Sequence, residues 1–469
     1  MGQRLSPEQQ RRLGELLNVT PVASELGERF RAAGHDLYLV GGWVRDALLG
    51  RPSDDLDFAT DARPEETVRV LRGWADRQYL TGVKFGTVDA AKGDHRMHIT
   101  TFREESYPSD DRHPRVSFVG DLEADLSRRD FTINAMAVRM PDGGFVDPFE
   151  GLEDLANKRI ATPLEPQVSF EDDPLRMLRA ARFAASLEAV ATKEVLGAIH
   201  DMRERLSIVS PERIQAELNK LLVSATPSRG LDLAVDTGLA EVFLPELPAL
   251  RLEQDPVHRH KDVYRHTLAV IERCEADVTL RLAALFHDVG KPRTRQFTED
   301  GVQFHHHEVV GARMAQERLR ALRYPERTIA EVVRLVEMHL RFHTYRMGWS
   351  DGAVRRYVRD AGPLLDRLNQ LVRADCTTRN PFKARALGAL QDELEERVAH
   401  LAEEENLATI RPPLDGNEVM EHLRLPPGPE VGEALRHLLE LRMDRGPIER
   451  DEAYALLDAW AAERGLTPA

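Results

Sequence analysis

The sequence predicts an α+β fold in which a mixed-sheet head precedes a series of all-helical regions. Between residues 34 and 159, short apolar runs alternate with turn residues, as expected for a sheet that helices cover on one side. From Ser169 onward the strand signals nearly vanish. Proline-led runs with helical periodicity replace them, at 174–187, 211–222 and 227–239.

The 469 residues divide into five predicted regions. A helical extension at 1–33 precedes the head at 34–160, and a helical neck follows at 161–250. A second helical domain at 251–383 begins just after a Leu-Pro-Glu-Leu-Pro segment, which is typical of a domain boundary. A helical tail at 384–469 completes the chain.

The composition excludes several classes of protein. No apolar run approaches the roughly 20 residues that a membrane-spanning helix needs, and the 2 cysteines have neither disulfide-framework nor metal spacing, which fits a reducing cytoplasm. The net charge of -15 argues against a generally basic nucleic-acid binder. Arg176, Arg179 and Arg182 recur every three residues and could line one groove, although such a stripe is more often a solvated face.

The most specific signal is a strand, turn, helix and strand unit over 37–58. Gly41 and Gly42 follow an apolar strand, and their lack of side chains lets backbone amides approach a phosphate closely. Asp55 and Asp57 lie two residues apart on the next strand, so both carboxylates face one point. Either piece alone favours an ordinary turn or strand end, but together they predict a site for a nucleotide and Mg²⁺.

A second set of polar residues predicts a metal site in the region 251–383. Imidazoles and carboxylates together form a site for a divalent cation, which can acidify a bound water for attack on a phosphoester. The candidate ligands occur in the order His266, His287, Asp288, His307 and Asp375. His339 and His343 could share a helix face, and we expect a solvated or capping role for both.

Three sequence blocks resemble one family. The segment 41–57 is similar to the GGxVRDxLLG and DxD head of the class II tRNA nucleotidyltransferases, the family of the CCA-adding enzymes and bacterial poly(A) polymerases. Residues 127–137 (Ser-Arg-Arg-Asp-Phe-Thr-Ile-Asn-Ala-Met-Ala) resemble its RRDFTINAMA motif, and 172–183 its EDxxR segment. The resemblance implies a polymerase β-like nucleotidyltransferase head. The order of His266, the His287–Asp288 pair and Asp375 resembles the HD metal-dependent phosphohydrolases.

The resemblance also implies roles for individual residues. Asp55 and Asp57 would be the catalytic acids that hold Mg²⁺, and Gly42 and Arg45 would contact the triphosphate. Arg129 and Asp130 would hold phosphate and ribose. Asp173 and Arg176 would read the base, since a carboxylate and a guanidinium match the amine and ring nitrogen that cytosine and adenine share. The nucleotide-binding set also includes Arg179. The HD site would take Mg²⁺ or a divalent transition metal.

Two positions depart from the family pattern. The strand after the DxD unit carries His98 at the position that aligns with an acid, so the third metal ligand of the head is open, and Asp94 is a weak substitute. Asp172 stands where the family has Glu, and the neighbouring Glu171 is the acid that would compensate. The polar segment 103–118 resembles the flexible loop that full CCA addition requires, although it also reads as an ordinary surface loop.

The leading hypothesis is an enzyme that adds CCA to the 3′ end of tRNA from CTP and ATP without a nucleic-acid template. Its HD domain could also hydrolyse phosphoesters such as 2′,3′-cyclic ends. The alternatives are an enzyme that adds only CC or poly(A), an HD phosphohydrolase whose head senses nucleotide, and a non-catalytic RNA-binding protein. The expected partners are tRNA, CTP and ATP, with no membrane, and a homodimer is left open.

Overall fold

The computed structural model describes residues 6–8, 11, 14, 21–51, 55–83, 86–106, 115–118, 120–252, 262–298, 301–376, 380–404 and 410–466. The chain divides into two compact units, Met1–Pro248 and Ala249–Ala469. Within the described residues, no helix is both long enough and apolar enough to cross a membrane. The predicted α+β class is confirmed by a mixed-sheet head with helical regions after it.

The head is built on a seven-stranded mixed sheet. Its strands are β1 (Leu37–Val40), β2 (Asp55–Thr60), β3 (Arg77–Tyr79), β4 (Thr87–Lys92), β5 (His95–Thr101), β8 (Ala137–Met140) and β9 (Phe145–Val146). They lie in the order β3-β4-β5-β2-β1-β8-β9. The pair β2 and β5 is parallel, while β1 is antiparallel to both β2 and β8.

Helices cover one face of this sheet, as predicted. The helices Pro21–Ala32, Gly42–Leu48 and Pro64–Leu71 pack on that face over a core that includes Leu26, Leu56 and Met97. Because side chains alternate along a strand, the residues between these core positions project from the opposite face. That face carries a smaller apolar cluster near β1 and β8, and it also carries Asp57.

The segment 103–118 was expected to be a polar loop, but its two ends form the paired strands of a β-hairpin. The strands β6 (Arg103–Ser106) and β7 (Arg115–Phe118) pair antiparallel with Arg103 opposite Phe118. Residues 107–114 lie outside the described residues. The sequence did not predict these two short strands, because they are fixed by pairing with each other and not by an apolar pattern.

Helices dominate the rest of the first unit. Leu122–Ser127 and Gly151–Ala156 belong to the head. The neck contains Pro166–Asp172, Leu175–Ser186, Lys193–Met202, Pro211–Leu222, Pro227–Asp236 and Leu239–Phe243, besides the two-stranded pair β10 (Arg159–Ile160) and β11 (Val190–Ala191). The predicted helix 227–239 is two helices, because Gly238 adopts a left-handed φ of 75° and interrupts it.

Among its described residues, the second unit is helical apart from one hairpin. Its helices are Val263–Arg273, Val278–Phe286, Lys291–Thr294, His307–Ala321, Glu326–Met338, Asp351–Ala361, Leu365–Asp375, Pro381–Glu404, Gly416–Leu423, Pro429–Arg445 and Arg450–Glu463. The hairpin of β12 (Arg295–Thr298) and β13 (Gly301–Phe304) was not predicted. Shorter 3₁₀ helices lie at Thr132–Asn134, Arg203–Ile208, Pro248–Leu250, Arg341–Met347 and Gly362–Leu364.

Candidate active site of the head and metal centre of the second unit

The glycine turn after β1 brings together two of the predicted site residues. Gly41 has a φ of 72°, a backbone conformation that glycine adopts at no steric cost. A Cβ at this position would lie 3.0 Å from Arg129 Nη1 and 3.9 Å from Asp57 Oδ2. The turn therefore leaves room for a carboxylate and a guanidinium beside the backbone. The side chain of Asp55 lies outside the described residues.

Arg129 is positioned by the buried carboxylate of Asp125. Asp125 accepts hydrogen bonds from Arg129 Nη2 at 3.1 Å and from Arg128 Nη2 at 2.8 Å. Burial would raise the pKa of Asp125, but the two guanidinium groups outweigh burial and lower that pKa. Asp125 thus stays ionised and fixes the two arginines of the 127–137 block, a role that the sequence did not reveal.

The predicted residues Arg45, Asp130 and Arg179 belong to one hydrogen-bonded chain. Arg45 Nη1 donates to Asn134 Oδ1 at 2.6 Å, and Asn134 Nδ2 donates to Asp130 Oδ1 at 2.9 Å. Arg179 Nε donates to Asp130 Oδ2 at 2.8 Å. Burial would raise the pKa of Asp130, but Arg179 and Asn134 hold that pKa well below its usual range. Asp130 thus links the head to the helix Leu175–Ser186 (the arginine helix), and Asn134 extends the chain to Arg45.

Two arginine side chains of the arginine helix pack against one aromatic ring and a buried carboxylate and do not form a solvated face. Its Arg179 and Arg182, together with Arg45, surround the ring of Phe183 at 5.9, 3.9 and 5.1 Å from the ring centroid. Arg182 Nε also donates to buried Glu217 at 2.6 Å. Cations over an aromatic face are attracted by its quadrupole, so Phe183 and Glu217 keep these guanidinium groups close together.

The two predicted base-reading residues have different surroundings. Asp173 Oδ1 accepts from the Leu175 backbone amide at 3.1 Å, and its Oδ2 accepts from Arg213 Nη2 at 2.7 Å. Arg176 is buried, and it donates to Ser169 Oγ at 2.8 Å and to the carbonyl of Arg128. The exposed guanidinium beside Asp173 is therefore that of Arg213, which the sequence reading did not include.

The candidates for a third metal ligand in the head are now placed. His98 on β5 lies directly opposite Asp57 on β2. Asp94, the weak substitute, lies exposed in the turn between β4 and β5, off the strand that faces Asp57. Position 98 therefore lies on the strand beside Asp57, whereas position 94 does not.

All five predicted HD ligands come together in the second unit. His266 Nε2 lies 2.8 Å from Asp375 Oδ1 and 3.3 Å from His287 Nε2. Asp288 spans the cluster, with Oδ2 at 3.3 Å from His287 Nε2 and Oδ1 at 3.4 Å from His307 Nε2. Burial would raise the pKa of Asp288, but His287 and Lys291 hold it well below the usual range.

His339 belongs to the same cluster, so the expectation of a solvated role was wrong, whereas the capping role is borne out, because His339 is the C-cap of the helix Glu326–Met338 and its Nδ1 contacts the Val336 carbonyl. Its ring is buried, and its centroid lies 5.4 Å from that of His287 and 5.5 Å from that of His307. The candidate ligand atoms form two close groups, His266, His287 and Asp375, and Asp288, His307 and His339. His343 is about half exposed and lies 3.8 Å from Asp375, at the edge of the cluster.

The histidines of the second unit are oriented for metal binding. Each Nδ1 of His287, His307 and His339 faces a backbone carbonyl, at 2.7, 2.9 and 2.6 Å respectively. Such a hydrogen bond fixes the tautomer and leaves Nε2 as the ligand atom. Nε2 of His307 and Nε2 of His339 are buried without a hydrogen-bond partner, and burial lowers the pKa of His339 to about 3, so its ring is neutral.

Comparisons with known proteins agree with this geometry. The model of the poly A polymerase head domain matches residues 37–161, that of the probable RNA and SrmB-binding site of polymerase A matches 192–250, and that of the HD domain matches 263–404. The CC-adding tRNA nucleotidyltransferase of Thermus thermophilus is 34% identical over 92% of this chain and 94% of its own length. The chain belongs to the tRNA nucleotidyltransferase family.

Other family members differ in how much of the chain they match. The A-adding tRNA nucleotidyltransferase of Deinococcus radiodurans is 34% identical over 91% of this chain and 95% of its own. The CCA-adding enzyme of Streptococcus gordonii is 42% identical over 48% of this chain and 56% of its own. The structure of the Bacillus stearothermophilus CCA-adding enzyme in complex with CTP has a TM-score of 0.70 and 27% identity, covering 98% and 99% of the two chains. The family prediction is confirmed.

Proposed function

We propose that this nucleotidyltransferase adds CCA to the 3′ end of tRNA from CTP and ATP. The observation that carries the proposal is the convergence at Gly41, where a strand carboxylate and a guanidinium lie beside the same backbone turn. Polymerases that join a triphosphate to a 3′-hydroxyl need those two charges together, one to bind cations and one to neutralise phosphate. The full-length likeness to an enzyme solved with CTP supports this proposal.

The residues of the head fit a divalent cation. Asp57 supplies a carboxylate on a partly exposed strand face, and carboxylate oxygens are the ligands that Mg²⁺ prefers. With Asp55 it would hold Mg²⁺, which supplies charge neutralisation at the attacking and leaving oxygens. Arg129 and Arg45 would bind phosphate oxygens, and Asp130 the ribose.

The base would be chosen by Asp173 and a guanidinium. On their Watson–Crick edges, cytosine and adenine present an amine donor beside a ring-nitrogen acceptor, whereas uracil and guanine present a carbonyl beside a ring N–H, so one carboxylate and one guanidinium would accept CTP and ATP and reject UTP and GTP. We keep Arg176 in this role as a prediction. Arg213 is a second candidate, because its guanidinium already contacts the Asp173 carboxylate.

The test uses three acceptor tRNAs that lack CCA, carry C only, or carry CC. Each is incubated with labelled CTP, ATP, UTP or GTP, and the products are resolved at single-nucleotide length. We expect CTP to add two residues to the first acceptor, one to the second and none to the third, ATP to add one residue to each end that has reached CC, and UTP and GTP to add none. Absence of any incorporation would contradict the proposal, and Asp57→Asn is the inactive control.

A second candidate is addition of only part of the CCA end. It is favoured by the names of two relatives that match the whole chain, one CC-adding and one A-adding. The same experiment separates the candidates. Addition of CTP but never ATP identifies CC addition, whereas addition of ATP to the tRNA that ends in CC, with no CTP added to any of the acceptors, identifies A addition.

We further propose that the HD cluster binds two divalent metal ions and hydrolyses phosphoesters. The six ligands fall into two groups of three, and two buried Nε2 atoms point into the cluster without a hydrogen-bond partner. These residues fit metals that favour imidazole, such as Mn²⁺, Co²⁺ or Ni²⁺, better than Mg²⁺ alone. A bound ion would supply an acidified water for attack on phosphorus. Release of nitrophenol from bis(p-nitrophenyl) phosphate, and hydrolysis of 2′,3′-cyclic nucleotides, tests the activity with each metal.

The proposed substrates also indicate in which compartment of the cell the enzyme acts. Because tRNA ends are completed where tRNA is used, we propose a cytoplasmic location.

The oligomeric state is a separate question. Each of the two units would carry its own metal site, so a single chain could act without a partner. Light scattering with and without tRNA tests for a homodimer.

A further inference from the structure

Three polar side chains form a row across the open face of the head sheet. Asp57 on β2 lies opposite His98 on β5, and His98 lies opposite Asp89 on β4. Their strand neighbours face the other way, since Leu56, Phe58, Met97, Ile99, Val88 and Ala90 all belong to the covered core. The alternation of strand side chains therefore places the three polar groups on one face.

His98 and Asp89 form a hydrogen-bonded pair. His98 Nδ1 lies 2.7 Å from Asp89 Oδ1, and the two side chains are 45% and 31% exposed. An ionised carboxylate can only accept, so Nδ1 carries the proton and Nε2 presents a lone pair. A carboxylate that orients an imidazole in this way is the usual outer partner of a metal-binding histidine.

We propose that His98 Nε2 is the third protein ligand of the divalent cation that Asp55 and Asp57 hold, and that Asp89 positions it. The inference rests on the proposed nucleotidyl transfer and deepens it, because it changes the chemistry of the metal site. A site with two carboxylate oxygens and one imidazole nitrogen favours Mn²⁺ or Co²⁺ over Mg²⁺ more strongly than a site of oxygen ligands alone. The reason is that Mg²⁺ favours oxygen ligands. The head of this chain would thus prefer Mn²⁺ more strongly than a site of three carboxylates.

The competing interpretation is a cross-strand pair without a ligand. Opposed polar residues in a sheet stabilise the pairing of their strands, and His98 with Asp89 could do no more than that. This interpretation predicts that nothing at position 98 changes the coordination of a bound metal. A direct view of the metal's ligands therefore decides between the two.

The experiment detects nitrogen at the metal by electron spin echo envelope modulation. The full-length chain carries His287→Ala and Asp288→Ala to weaken the HD cluster, and it is mixed with one equivalent of Mn²⁺ and CTP without tRNA. We expect a ¹⁴N coupling in the protein with His98, and its loss in His98→Glu and His98→Gln. His95→Gln, on the same strand but the opposite face, is the matched control and keeps the coupling.

Metal preference gives an independent measurement. We expect the ratio of Mn²⁺-supported to Mg²⁺-supported CTP addition to fall on the order of tenfold in His98→Glu, whose carboxylate retains activity with Mg²⁺. Asp89→Asn should weaken Mn²⁺ binding in the presence of CTP, also on the order of tenfold.

The outcomes separate this inference from the proposed function. If the HD-weakened protein with His98 adds nucleotide but its bound Mn²⁺ shows no ¹⁴N coupling, or if the coupling persists in its His98→Gln variant, the inference is overturned and nucleotidyl transfer stays intact. A wild-type enzyme that adds no nucleotide with any metal contradicts the proposed function itself.

Discussion

The head and the HD cluster hold similar side chains in opposite surroundings. In the head, Asp57 and His98 lie on an open strand face, where the proposed triphosphate and RNA end would bind. In the second unit, His287, Asp288 and His339 are almost fully buried. Buried polar atoms without partners cost free energy, so a metal bound as proposed at the HD cluster would add stability as well as chemistry. The head site can take its metal together with the substrate.

The largest expected effect tests whether the two sites are independent. Asp57→Asn should lower CTP addition by roughly a thousandfold or more, because it removes several kcal/mol of charge stabilisation, while leaving phosphoester hydrolysis unchanged. Asp288→Asn should do the reverse. Both activities are measured on each purified variant, and a variant that loses both would contradict independent sites.

A second prediction concerns the free energy of unfolding of the metal-free second unit. His339→Leu removes a buried nitrogen without a hydrogen-bond partner, so it should stabilise the metal-free protein by about 1–3 kcal/mol. The same substitution should reduce the rise in Tm that Mn²⁺ produces in the wild type. Calorimetry with and without chelator measures both.

The control for this prediction is His343→Leu, at the partly exposed edge of the cluster. It should change the metal-free stability by no more than about 0.5 kcal/mol. If His339→Leu instead destabilised the metal-free protein and kept the full response to Mn²⁺, the ring would be a structural residue and not a ligand.

The difference between the two sites also explains what the sequence could predict. The strand Leu37–Val40 was predicted residue for residue, because an apolar run ends sharply at two glycines. The five candidate HD ligands were predicted because His266, the His287–Asp288 pair and Asp375 follow a recognised order along the chain, to which family analogy adds His307. These are local signals.

What the sequence missed depends on contacts between distant segments. His339 looks like any polar residue at the end of an amphipathic helix, and only packing of the helix Glu326–Met338 buries it. Asp89 becomes a partner of His98 through strand register, which a one-residue slip would abolish. Glu217 lies 35 positions from the arginine that it holds.

A third prediction uses the paired charges of the head, in contrast to the metal-dependent charges of the HD cluster. The pKa of Asp130 is depressed in the folded state, so its stabilising contribution is complete above the unfolded pKa of about 4 and is lost as the pH falls below that value. Asp130→Asn should be less stable than the wild type by roughly 2 kcal/mol at pH 7. Urea unfolding at pH 7 and pH 3 should show that the stability difference between Asp130→Asn and the wild type is smaller at pH 3. A difference that does not change with pH would mean that the charge of Asp130 contributes nothing to stability.

The smallest expected effect separates backbone strain from site geometry at Gly41. Gly41→Ala and Gly73→Ala both place a side chain at a φ of 72°, so each should cost about 1–2 kcal/mol of stability. A Cβ at Gly41 would press on Arg129 Nη1, whereas no atom lies within 4 Å of one at Gly73. We therefore expect only Gly41→Ala to raise the KM for CTP, since it displaces a phosphate-binding guanidinium. An equal change of KM in both variants would trace the effect to strain alone and remove the turn from the active site.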